Sequence, residues 1–347
     1  MMRKWIFFTF LLGMCLISLQ STNAATIAVH PGSSIQSAVN HAANGDTIVV
    51  YANGTKAYTY KESVTINKKI NLKSSGKVTI QAKNSASSVI RVNSGGSGST
   101  IKNFIFTKSN YCVFVNNAAN TIISGNTITA ASLVGIQLNG NIKNSKILNN
   151  KITGTNHNYG NGISFQFPPT SYLTSYNTIS GNIIKNFLHG ILFNAKSSHN
   201  TITNNKIYCT GYHGAGIWAT QASSYMVITG NTVSGAQDAI AVQKIGAGQA
   251  THYTISKNIV KYSQNGLWVC LSDSTISKNQ ALYNKISGLD ITGDNNNISA
   301  NIVRNNKVCG IAVGTSKSTD SNTLAGNILV SNGGNYYITG PGKLVRR

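Results

Sequence analysis

Residues 177–183 read Asn177-Thr178-Ile179-Ser180-Gly181-Asn182-Ile183, and a Gly190-Ile191 step follows shortly after. The same grammar appears in Ile122-Ile123-Ser124-Gly125-Asn126-Thr127-Ile128, which leads to Gly135-Ile136. From Thr121 onward the chain repeats an apolar pair, an Asn, another apolar residue, a short polar turn, then Gly and an apolar residue. The Asn column is Asn126, Asn150, Asn182, Asn205, Asn231, Asn258, Asn279, Asn301 and Asn327, with successive members 21 to 32 residues apart. The Gly column is Gly135, Gly162, Gly190, Gly216, Gly266, Gly288 and Gly310, with Ala239 in place of Gly in one repeat.

A period of ~20–30 residues fits leucine-rich repeats or a β-helix. Leucine is scarce, and no helix-period segment accompanies the repeats. Short alternating runs of Ile, Val and Thr read instead as strands. They are too short and too closely spaced for hairpins or crossover helices. Coiling lets each strand pair in parallel with its counterpart one turn later, ~4.8 Å away, and stacked coils bury a core that no single repeat forms. The expected fold is therefore all-β, a parallel β-helix solenoid. The Asn column reads as a structural ladder, since Asn tolerates left-handed turns and its amides can hydrogen-bond from coil to coil. The Gly column reads as tight bends.

Working outward, Arg3 and Lys4 precede an apolar run from Trp5 to Leu19 and small residues up to Ala25. This is the pattern of a signal peptide over residues 1–24. The run falls short of the ~20 apolar residues a membrane span needs, so no span is expected after cleavage. Residues 25–52 read as an N-terminal cap and first strand. Within them Ser33 and Gln36 suggest a capping box for a short helix carrying Ile35, Ala38, Val39 and Ala42, ended by Gly45. Such a helix would cover the open first turn. Residues 53–335 hold the repeats, and 336–347 read as a basic C-terminal tail.

The chain carries 29 Lys and Arg against 7 Asp and Glu, a net charge of +22, although only 10% of its residues are charged. Without Arg3 and Lys4 the balance is 27 to 7, or +20. Such a chain favours polyanions. Lys56, Lys61, Lys68, Lys69, Lys73, Lys77, Lys83, Arg91, Lys102 and Lys108 face only Glu62 in the early coils. No Lys/Arg run is dense enough for a nucleic-acid patch, and secretion favours an anionic glycan or cell-envelope polymer as partner. Cys112, Cys209, Cys270 and Cys309 lack C-x-x-C spacing and read as buried apolar side chains. The acidic residues are too dispersed for a calcium cage, and the histidines lack ligand spacing, so neither metal nor cofactor is expected.

Strand alternation draws a face on the Gly-Ile strands. One step beyond the Ile, the outward column reads Gln137, Ser164, Leu192, Trp218, Ala241, Trp268, Asp290 and Ala312. The column before Gly includes Asn161, His189, Asp238, Asn265 and Ser287, and a third includes Asn139, Gln166, Asn194 and Gln243. Trp218 and Trp268, two coils apart amid amides, suit sugar rings, with Gln137, Asn161, Gln166, Asn194 and Gln243 as hydrogen-bonding partners. Asn156-His157-Asn158-Tyr159 and Phe167-Pro168-Pro169-Thr170-Ser171-Tyr172 lie in the longest insertions, where groove walls are expected. Candidates for catalysis are Asp238, His189, His213, Lys244 and Asp290. Two carboxylates flank the bond in most glycosidases. Asp238 and Asp290 are expected two coils apart, roughly 9.6 Å. His189, Lys244 or Tyr residues could serve a lyase as base.

Pro31-Gly32-Ser33-Ser34-Ile35-Gln36-Ser37-Ala38-Val39, Asn44-Gly45-Asp46-Thr47-Ile48-Val49-Val50 and Val64-Thr65-Ile66-Asn67-Lys68 resemble the opening of secreted right-handed β-helix repeat proteins. These include the NosD-like periplasmic family and the adhesin-like surface proteins of methanogens. The resemblance covers essentially the whole mature chain. It implies a right-handed β-helix with a short capping helix, an envelope location and carbohydrate contact, without a defined catalytic set. Gln237-Asp238-Ala239-Ile240-Ala241-Val242 also resembles one short polygalacturonase motif, with Ala239 where that family has a second carboxylate. The expected function is a secreted, adhesin-like, non-catalytic protein contacting an anionic polysaccharide. The alternative is a polysaccharide lyase or glycoside hydrolase acting on an anionic glycan.

Overall fold

A computed structural model describes residues 24–156, 158–166, 173–209, 213–220, 223–243, 250–315, 321–341 and 343–346. Among them the chain winds as a parallel β-helix. Its first sheet holds fourteen strands, from Thr26–Val29 to Lys343–Arg346, and the pairings along it are parallel. A second sheet runs through strands such as Lys151–Gly154, Ile183–Lys185, Lys206–Tyr208 and Thr232–Ser234. A third is built from the Gly-Ile strands, among them Asn161–Gln166, His189–Asn194, Ala215–Ala219, Asp238–Val242 and Asn265–Ser272.

The core follows from strand alternation. In the first sheet Ile123, Ile147, Ile179, Ile202, Ile228, Ile255, Ile276 and Ile298 stack one above another, none more than 1% exposed. Each such burial stabilises the fold by roughly 1.5–3 kcal/mol, and the contacts repeat in every coil.

The Asn column is a continuous buried ladder. Asn205 donates its backbone N–H and its Nδ2 to Asn231 Oδ1, both at 3.0 Å, and Asn231 repeats this toward Asn258 at 2.9 and 3.0 Å. Nδ2 of Asn231 also reaches Ile202 O at 2.9 Å. The left-handed turn expected at the Asn itself belongs to the residue before it. Gly181, Asn204, Gly230, Lys257, Lys278 and Ala300 all have φ between 55 and 68°. The ladder Asn thus satisfies the polar groups that this corner exposes. Shorter ladders, Asn284–Asn306–Asn332 and Asn177–Asn200, line other corners.

The glycine column exists, but for a different reason than bending. Its members carry no left-handed φ. A Cβ on Gly190 would meet Ile207 Cγ2 at 2.4 Å and Gly216 O at 2.5 Å, and one on Gly216 would meet Val233 Cγ1 at 2.2 Å. At Gly135, Gly162, Gly190, Gly216 and Gly288 the missing Cβ leaves room for a β-branched residue of the neighbouring strand in the next coil, and at Gly266 and Gly310 for the backbone of that coil.

The N-terminal region differs in three details from the sequence expectation. Thr26–Val29 already pairs with Thr47–Tyr51, so the solenoid begins before the helix. The helix spans Ile35–His41 with Ser34 as N-cap, one residue later than the expected box, and it ends before Gly45. Its orphan N–H groups are satisfied from the next coil: Glu62 accepts from the backbone N–H of Ile35 at 2.8 Å and of Gln36 at 3.1 Å. A carboxylate is favoured at that positive helix end. Within residues 336–347, expected as a basic C-terminal tail, Tyr336–Thr339 pairs with Cys309–Gly314, and Lys343–Arg346 with Ser321–Ala325. The expected signal segment lies outside the described residues, apart from Ala24 at its end. No helix among the described residues is long and apolar enough to cross a membrane.

Candidate functional site

The outward column read from the sequence is in register. Gln137 aligns with Ser164, Ser164 with Leu192, Leu192 with Trp218, Trp218 with Ala241, Ala241 with Trp268, Trp268 with Asp290, and Asp290 with Ala312. Its two halves differ in access. Gln137 is 2% exposed, with Ser164 and Leu192 also buried, and Asn161 beside them is buried too. The expectation that Gln137 and Asn161 present amides to a ligand is therefore corrected in this structure. Gln137 Nε2 donates to Asn139 Oδ1 at 2.5 Å. Alternation sets which side of the sheet a residue occupies, not what covers it. Gln166 and Asn194 are half-buried, and Asn194 Oδ1 accepts from Thr220 Oγ1 at 2.9 Å.

From Trp218 onward the column opens into a cleft of about 160 Å³. Trp218 and Trp268 stand one coil to either side of Ala241, about 9.6 Å apart by strand spacing. His189, His213, Gly214, Ala215, Gln237, Asp238 and Gln243 complete the lining. Trp268 is 38% exposed and Ala241 2%, so a small buried floor lies between two indoles. Trp218 is held from two sides. Its Nε1 donates to Gln243 Oε1 at 3.2 Å, and its ring lies 4.7 Å from that of His189.

Asp238 is 6% exposed. Burial pushes its carboxyl above the usual carboxylate range, against the lowering effect of a hydrogen bond from Asn265 Nδ2 at 2.8 Å. Asn265 is in turn fixed by Ser287 Oγ, which donates to its Oδ1 at 2.8 Å. Asp290 is raised by burial and then by the charge of Asp238. Asp290 thus senses Asp238. Their separation has a component the sequence reading omitted. Asp238 aligns with Asn265, while Asp290 aligns with Trp268, three residues further along the strand.

His189 is pushed down to about 4 by burial. The N–H of Ala215 donates to its Nδ1 at 3.0 Å, which leaves Nε2 carrying the single proton of the neutral ring. No ring lone pair is then free to accept a substrate proton, which argues against His189 as a lyase base. Lys244, His157 and residues 167–172 fall outside the described residues. The sequence reading missed Gln237 and Gly214, which precede the strands, and the Ser287–Asn265–Asp238 relay. Asn265 and Ser287 stood in the column before Gly, and their place beside Asp238 was the available signal. Among the described residues no three His, Cys, Asp or Glu side chains gather as metal ligands. Cys112, Cys209 and Cys309 are buried free thiols, and Cys270 is half-buried.

The chain matches the family model for the right handed beta helix region over residues 48–207, 88–242, 155–275 and 212–344, and it belongs to that family. None of the curated proteins matches it. Among solved structures, it is similar to the family 28 exopolygalacturonase of Yersinia enterocolitica at 9% identity, with a TM-score of 0.66, covering 93% of this chain and 78% of that one. A thermostable GH87 α-1,3-glucanase from Streptomyces thermodiastaticus is 12% identical, with a TM-score of 0.62 and 94% and 69% covered. The Dettilon tailspike protein is 13% identical, with a TM-score of 0.56 and 90% and 68% covered. At these identities the likeness is one of fold.

Proposed function

We propose that this protein binds a polysaccharide at the cell envelope, with one sugar seated over Ala241 between Trp218 and Trp268. The observation that carries the reading is the cleft itself. Two indoles flank a small floor, and amides and a desolvated carboxyl stand within reach. Indole faces pack on the C–H faces of a sugar while amides and carboxyls bond its hydroxyls. The similarly folded exopolygalacturonase and α-1,3-glucanase are named for action on glycans, which supports the substrate class. An envelope location rests on the signal-like N-terminus and the resemblance to secreted relatives.

The cleft favours an uncharged sugar over a uronate. Asp238 lines it, Asp290 is coupled to Asp238, and no Lys or Arg is among its described lining residues.

One observation favours a second reading, glycosidic hydrolysis. Both carboxyls are held toward their protonated forms, and Asp290 senses the charge of Asp238. A carboxyl that keeps its proton can act as general acid while a second, ionised one activates water. Asp238, oriented by Asn265, suits the first role and Asp290 the second.

The test is a panel of neutral glycans, read for affinity and for new reducing ends. Trp268→Ala should weaken binding by about 1–2 kcal/mol with the fold retained, since Trp268 points outward. Binding without product supports a binder. Product that disappears in Asp238→Asn, with affinity preserved, supports the hydrolase. If Trp268→Ala unfolds the protein while binding per folded molecule is unchanged, the cleft is not the site.

A further inference from the structure

The cleft leaves the protein's excess of positive charge unexplained. The outward face of the second sheet gives that charge a place. Its two outward columns can be followed coil by coil. One runs Thr127, Lys151, Ile183, Lys206, Thr232, Ile259, Gln280 and Ile302. The other runs Thr153, Lys185, Tyr208, Ser234, Lys261, Leu282 and Arg304. Neither column holds an acidic residue. The described acidic side chains sit elsewhere: Asp46 and Glu62 in the N-terminal cap, Asp238 and Asp290 at the cleft, Asp273 and Asp294 at another corner. Lys151, Lys185, Lys206 and Arg304 are exposed and Lys261 half-buried.

We propose that this strip, Lys151, Lys185, Lys206, Lys261 and Arg304 on the second sheet, is a docking face for an anionic polysaccharide lying along the solenoid axis. Charge complementarity is the first argument. Five cations without an intervening carboxylate create a one-signed field on a flat, rigid surface. Spacing is the second. Lys151 and Lys206 are two coils apart, Lys185 and Lys261 three, Lys261 and Arg304 two. These intervals are multiples of a ~4.8 Å step, close to the advance of one ring in an extended 1,4-linked glycan. Exposed rings flank the strip: Lys185 Nζ lies 4.9 Å from the centre of Tyr208, Lys261 Nζ lies 5.4 Å from that of Tyr262, and Tyr262 stacks on Tyr283 at 5.6 Å. A ring face packs on the C–H groups of a sugar as it does on a base, so single-stranded DNA is the competitor that the test includes.

Three of the early lysines lie away from this strip. Lys68 is committed to the helix end, donating to Asn40 O and Ala42 O at 3.0 and 2.7 Å. Lys73 and Lys102 sit on the first sheet.

The test uses the full chain and two polymers with one backbone, carboxymethyl cellulose and hydroxyethyl cellulose, with single-stranded DNA as a third probe. The variants are a strip triple, Lys185→Glu, Lys206→Glu and Lys261→Glu, and a control triple of equal charge change, Lys56→Glu, Lys73→Glu and Lys77→Glu. Circular dichroism and melting confirm that both fold, and Gln versions of each triple stand by should a Glu version not. The expected result is tighter binding of carboxymethyl than of hydroxyethyl cellulose, weakening with salt. The strip triple should lose at least tenfold in affinity and the control at most about twofold, a contrast in local against overall charge. Equal losses in the two triples, or no preference for the carboxymethyl polymer, overturn the proposal. So does DNA bound more tightly than carboxymethyl cellulose through the same three lysines, which assigns the strip to nucleic acid.

Discussion

Asn265 Nδ2 donates to Asp238 Oδ1 at 2.8 Å from one coil further along. The bond favours the ionised form, against burial. Asn265→Ala should therefore raise the Asp238 pKa further, since a hydrogen bond to the charged form is lost while the desolvation stays. Carboxyl-carbon NMR titration, with Asp238→Asn to assign the resonance, reads the shift. A downward move, or none, means that Asn265 does not orient Asp238.

Much of this geometry was legible in the sequence, and the boundary is physical. A strand period of two and a Gly-Ile step in each repeat fix both register and facing, so Trp218, Ala241, Trp268 and Asp290 could be placed in one column. Burial of that column was not legible. Gln137 and Trp268 have equivalent positions, yet one is 2% and the other 38% exposed, because cover comes from outside the strand. The reason for the Gly column was misread for a related cause. The steric demand comes from Ile207 or Val233 in the following coil, whereas a bend would be local. The ladder Asn177–Asn200 escaped notice because its column continues with Met226 and Tyr253, so no single residue type marks it.

Gly216→Ala should destabilise the protein by about 2–3 kcal/mol, the range for overpacking a rigid interior. Its Cβ would sit 2.2 Å from Val233 Cγ1 and 2.7 Å from Ala239 O. Val233→Ala in the same chain should recover part of that loss by removing the first clash, although it deletes buried methyls of its own. Urea unfolding of the single and double variants measures both. Strict additivity between them would show that the side chain of Val233 is not what the glycine accommodates.

Asn231→Leu keeps the branching of the side chain but breaks the ladder in its middle. The backbone N–H of Asn205 and the carbonyl of Ile202 lose the side chain they bond, while Asn205 Nδ2 keeps the carbonyls of Ile179 and Thr203. Buried groups left unpaired cost about 1–3 kcal/mol each, so the variant should lose about 3 kcal/mol or more. Asn327→Leu, at the half-buried end of the same ladder, should lose clearly less because water can replace the amide. Equal losses at both positions would mean that the ladder's burial is not what makes it stabilising.

The cleft should also mark the pH dependence of stability, through His189. Its folded pKa of about 4 lies below the ordinary value of 6.5 because burial disfavours the cation. A depressed folded value means that the stabilising contribution is complete above pH 6.5 and is lost as pH falls from there toward 4. The unfolded chain takes up a proton in that window and the folded one does not. The shift corresponds to at most about 3 kcal/mol, with solvent screening at the cleft mouth reducing it. Asp238 and Asp290 act in the opposite sense. Their raised values make the folded state the better proton acceptor, so acidification through their range stabilises it. The two contributions can be separated with His189→Asn, which keeps an acceptor for the Ala215 N–H and does not titrate. Unfolding midpoints at several pH values from 7 down to 4 should show wild type losing stability relative to this variant as pH falls. A constant difference across that window would place His189 in a solvated setting and remove the case for a desolvated cleft.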